Sequence, residues 1–77
     1  MESVIQTISA AVPGYVQMYN DGKTDLDTFQ KMVSEYIYVS RALEGNDLSE
    51  GAKAQATYIL ETMPWTVRNA AAFCLSR

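Results

Sequence analysis

The chain of 77 residues contains no histidine, which removes the commonest general acid–base group from its chemistry. Cysteine occurs once, at Cys74, so no intrachain disulfide can form. A lone thiol is not a zinc site either, since such a site needs about four ligands. Basic residues are few: six Lys and Arg stand against nine Asp and Glu, for a net charge of −3. Six bases scattered along the chain do not form the basic patch of a nucleic-acid binder. Nine partly balanced acids are also far too sparse to imitate a duplex, which carries about one charge per 1.7 Å. No apolar run approaches the roughly 20 residues of a membrane span. The opening MESVIQTISAA carries an acid where a secretory signal carries bases. There is no repeat, low-complexity stretch, linker or glycine-rich phosphate loop. The expectation is a single domain without metal, cofactor, direct nucleic-acid binding or membrane insertion. Its scarce cysteine fits a reducing, cytoplasmic setting.

Catalysis is not expected. Asp25 and Asp27 lie two apart on a helical stretch and do not face each other. Cys74 could act as a nucleophile only with a base that the sequence does not display, and its reading is a small buried residue on an alanine-rich helix.

The chain does hold much apolar material. Hydrophobic residues make up 48%, including five Tyr, two Phe and one Trp, which is too apolar for a disordered tail. A chain this short has a marginal core, which is supplemented by tight packing or by association with itself or another protein.

Three punctuation points, Asn20-Asp21-Gly22, Glu44-Gly45-Asn46 and Met63-Pro64, divide it into four segments. In the first, about residues 2–19, Val4, Ile5, Ile8, Ala11, Val12, Tyr15, Val16 and Tyr19 recur at helical spacing. Pro13 interrupts this face, and Val12-Pro13-Gly14-Tyr15 also suits a type II turn. The segment is therefore a kinked helix or two short helices. The second spans about residues 25–43, with Thr24 and Asp27 spaced as a capping box, an Asp27–Lys31 pair four apart, and Gly45 as C-cap. The third spans about residues 48–62. Asp47 and Glu50 form a second capping box, and Leu48, Ala52, Ala56, Ile59, Leu60 and Met63 make the apolar face. Gly51, Ala52, Ala54 and Ala56 offer a low-relief surface that another helix could approach closely. The fourth begins at Pro64, which fits a first helical turn. Val67, Ala70, Ala71 and Cys74 form its inward face, and Arg77 complements the C-terminal end of the dipole. Residues 35–40 have the composition of a strand, but no second strand exists to pair with them. The fold class is all-α: a compact bundle of three to four short helices.

The stretch from Asp21 to Phe29 resembles the second half of an EF-hand calcium loop, with Gly22 at the sharp turn. The ligand positions decide against it. With Gly22 at position six, positions one, three and twelve fall on Gln17, Tyr19 and Thr28, where the loop needs oxygen donors and a bidentate carboxylate. The stretch reads instead as a helix end, a turn and a helix start.

In the second segment Tyr36, Ile37, Tyr38 and Val39 are consecutive. At about 100° per residue they span most of a helix circumference, so one core face cannot hold them all. Such a helix is central in its bundle, or covered by a partner. Tyr, Trp, Met and Arg are also enriched at interfaces. The candidate contact residues are Tyr36, Tyr38, Arg41, Trp65 and Arg68, with Tyr15 and Tyr19 behind them. The expected function is a small non-enzymatic regulator or inhibitor that binds another protein and blocks or recruits by occupying its surface. Phage and mobile-element regulators are the analogy. The alternative is a self-assembling helical homodimer.

Overall fold

The computed structural model describes residues 2–45 and 47–76. Four helices follow one another: α1 (Glu2–Asn20), α2 (Leu26–Glu44), α3 (Glu50–Thr62) and α4 (Trp65–Leu75). Among the described residues there is no strand, and residues 35–40 lie within α2. Asn46 and Arg77, the latter proposed as a dipole partner, lie outside the described residues.

The first segment is one continuous helix and not two short ones, and a kink at Pro13 is not shown. Helix α1 runs through Pro13, and Val12-Pro13-Gly14-Tyr15 forms no turn. Pro13 and Gly14 are exposed, while Ile5, Ile8, Val12 and Tyr15 are buried. The proline ring therefore sits on the solvent side, and burial of the opposite face holds the helix together across it. The helix ends in a Schellman arrangement: Gly22 N–H donates to Tyr19 O at 3.1 Å and Lys23 N–H to Met18 O at 2.9 Å. The left-handed backbone this needs falls on Gly22, with φ of 70°.

Both expected capping boxes are displaced. The N-cap of α2 is Asp25, whose Oδ1 accepts from Thr28 N–H at 2.8 Å, so Thr24 lies one residue outside. The N-cap of α3 is Ser49, whose Oγ accepts from Ala52 N–H at 3.2 Å, so Asp47 lies two residues outside. Ser49 wins because the carboxylate that a capping box needs comes from elsewhere: Glu2 Oε2, at the start of α1, accepts the Ser49 N–H at 3.1 Å. Gly45 holds the C-cap of α2 in the right-handed region, with its N–H on Arg41 O. Met63 and Pro64 are both extended, with ψ of 143° and 142°, which makes the sharp bend between α3 and α4. A residue before proline is driven to this conformation. Pro64 is the N-cap of α4 and helical residues begin at Trp65, one later than expected.

Helix α1 packs chiefly on α3 and α4 chiefly on α2, with α2 and α3 together between them; α1 and α2 touch lightly. The principal dimensions of 35 × 29 × 17 Å leave room for about two helix layers. Ile5, Val12, Met32, Val39, Ala56, Ile59 and Val67 are inaccessible to solvent and hold the layers together. Ala52 and Ala56 are buried on α3, while Gly51 and Ala54 are exposed, so two of the four small residues serve close helix approach.

The expectation that Cys74 is core is overturned: it is exposed. Val67 and Ala71 are buried and Ala70 is half-buried, so the inward face of α4 holds for its first two turns. In the last turn Cys74 borders an open hollow against the start of α2 instead of packed side chains.

A candidate protein-binding surface along helix α2

The buried stripe of α2 consists of Met32, Val39 and Ala42. On the opposite side Asp27, Gln30, Lys31, Ser34, Tyr38 and Arg41 are exposed. Three hollows run along this exposed ridge, and Ser34 lines all of them. Toward α1, Tyr38, Lys31 and Glu35 face Val4, Thr7 and Ile8 across about 470 Å³. Toward the end of α2, Ile37, Tyr38, Arg41 and Ala42 line about 380 Å³. Toward α4, Leu26, Phe29, Val33 and Ile37 face Ala70 and Cys74 across about 510 Å³. The last hollow exists because α4 sets small side chains against the large apolar ones of α2, so the contact does not close.

Of the candidate contact residues, the structure brings Tyr38 and Arg41 together in one hollow. Tyr36, two residues away, points to the other side and is partly buried against the core. Tyr19 is half-buried on α1. Tyr15 belongs to the core, at 8% exposure. Burial, and then the Glu35 carboxylate beside it, push its phenol up to about 12. Among the described residues Glu35 Oε1 itself has no hydrogen-bond partner.

Trp65 is 65% exposed and lines none of the three hollows. It lies roughly 200° around α4 from buried Val67, on the outer side of that helix. Arg68 is exposed and its guanidinium donates to Glu61 O at 3.3 Å, tying α4 to the C-terminal end of α3. A cation there meets unpaired carbonyls and the negative end of the α3 dipole.

The apolar hollow between α2 and α4 was missed by sequence reasoning. Its signal was present: Leu26, Phe29, Val33 and Ile37 form an i, i+3, i+7, i+11 stripe apart from the buried one. What concealed it is that the facing residues, Ala70 and Cys74, look like ordinary core.

In the turn between α1 and α2, within the stretch that resembles a calcium loop, the carboxylates of Asp21 and Asp25 are engaged in local bonds. Asp21 Oδ2 accepts from Gln17 Nε2 at 3.0 Å, and Asp25 caps α2. Among the described residues no group of three or more Cys, Asp or Glu side chains is placed to hold a metal ion, and no helix is long and apolar enough to cross a membrane. No protein-family model, curated protein or solved structure matches this chain.

Proposed function

We propose that this chain is a small non-enzymatic protein-binding regulator or inhibitor that works by occupying a surface of a larger protein. The supporting observation is the exposed ridge of α2, where Tyr38 and Arg41 stand together in a hollow that shares Ser34 with two others. Tyrosine and arginine are, with tryptophan, the side chains enriched at the hot spots that carry most of the binding energy at protein interfaces. Tyr38 is 38% exposed, which leaves part of its ring open for a partner to cover.

Replacing Tyr38 with Ala tests this reading. The variant should keep the wild-type far-ultraviolet circular dichroism and cooperative melting while losing the proteins captured by the immobilised wild-type chain. A variant that unfolds would assign Tyr38 to the core instead.

A further inference from the structure

The charged residues along the α2 ridge are arranged with a direction. Asp27, Ser34 and Arg41 are spaced seven apart, so they lie almost in line along the exposed side of the helix. At 1.5 Å per residue, Ser34 stands about 10 Å from each. Gln30 and Lys31 flank the line on one side of Ser34, and Ile37 and Tyr38 flank it on the other. The ridge therefore has an acidic end, a small residue at its midpoint and a basic end. Neither Asp27 nor Arg41 forms an ion pair among the described residues, whereas Lys53 pairs with Glu50 on α3.

We propose that the α2 ridge binds a second copy of this chain, with the two α2 helices antiparallel and the two-fold axis passing beside Ser34. This rests on the protein-binding reading of α2 and names its occupant. A two-fold axis at Ser34 brings residue 34+n level with residue 34−n of the other copy, and along the central line the two face each other. Arg41 then meets Asp27 of the second copy twice over, by symmetry. On the flanks the axis reverses height but keeps lateral side, so Tyr38 meets the aliphatic stem of the second copy's Lys31 and Ile37 meets its Gln30. A parallel pairing would instead set Asp27 on Asp27 and Arg41 on Arg41, so charge selects the antiparallel direction. The serine at the crossing lets the helix axes approach within the usual 8–10 Å. The hollows on either side of the ridge receive the side chains that flank the facing ridge.

The test is sedimentation equilibrium of the full chain at low ionic strength, with folding checked by circular dichroism. The wild type should dimerise. Asp27→Arg and Arg41→Asp should each weaken the dimer on the order of tenfold, because each turns two attractions into two repulsions. The double variant D27R/R41D should recover wild-type affinity, which misfolding could not produce. A second measurement uses a single engineered thiol. Ser34→Cys in a Cys74→Ser background should link into a covalent dimer under mild oxidation, whereas Thr57→Cys in that background, on the exposed side of α3, should not. A wild type that stays monomeric at high micromolar concentration overturns the proposal, as does a dimer indifferent to both charge reversals or one that the double variant fails to restore. A monomeric wild type whose capture of a different protein depends on Tyr38 would end the second-copy inference and leave the binding reading standing. A dimer that obeys the charge swap while Tyr38→Ala changes neither it nor any capture would remove Tyr38 from the site.

Discussion

Tyr15 shows what a single position contributes. Its ring fills the core from α1, and its hydroxyl lies beside Glu35 of α2. Burial and that carboxylate both disfavour the phenolate, raising the pKa from an ordinary 10.0 to about 12. A folded-state value above the unfolded one means that the stability tied to the neutral phenol is intact below about pH 10. It is lost as pH climbs through about 12, because the unfolded chain releases this proton first. Thermal melting of the wild type should therefore fall more steeply than that of Tyr15→Phe across this window, and the two slopes should agree below it. Parallel curves throughout would mean that Tyr15 titrates as an ordinary tyrosine. The helical spacing of Tyr15 with Ile8 and Val12 was legible in the sequence, but its pairing with Glu35, 20 positions away, was not. Local periodicity ranks residues by face and says nothing of which distant side chain arrives there. The same limit applies to Cys74, whose place on the inward side of α4 was readable while the hollow in front of it was not.

The helices themselves were legible, and their ends were not. Each of the four was signalled by periodicity, and α1 crosses Pro13 because its opposite side is buried. The caps moved by one or two residues because several Ser, Thr and Asp side chains compete at each start. At α2 the competition is local. Asp25 stands in the extended conformation of an N-cap and takes the Thr28 N–H. That bond holds its carboxyl below the ordinary value. Asp25→Ala should lower the melting temperature by several degrees at neutral pH, while Thr24→Ala should change it less. A depressed carboxylate pKa stabilises above the unfolded value and ceases to do so as pH falls through the folded one, so the gap between wild type and Asp25→Ala should close in acid. Equal effects of the two substitutions would return the cap to Thr24. At α3 the competition is settled from outside the helix, by the Glu2 carboxylate on the Ser49 N–H. No sequence window around residues 47–50 contains that partner.

At the scale of the molecule, the arrangement is a row in which α1 lies on α3, α3 beside α2, and α2 beneath α4. Ala56, with no exposed surface, marks where α3 is packed on closely. Ala56→Leu should cost about 1–3 kcal/mol in denaturant unfolding, since extra methylenes have no room there. Ala54→Leu, on the exposed side of the same helix, should stay within about 0.5 kcal/mol. Similar costs at both positions would mean that α3 is not held as described. The sequence by itself determined the helical class, the four segments and which stripe of each is apolar, because hydrophobic spacing and turn residues act over a few neighbouring positions. The tertiary structure decided which helices pair, which caps hold, and that α2 keeps one side open, with Asp27, Ser34 and Arg41 in line along it. Those outcomes depend on the bulk of facing side chains from distant segments: α4 offers alanine and cysteine where closing the contact with α2 would take larger residues.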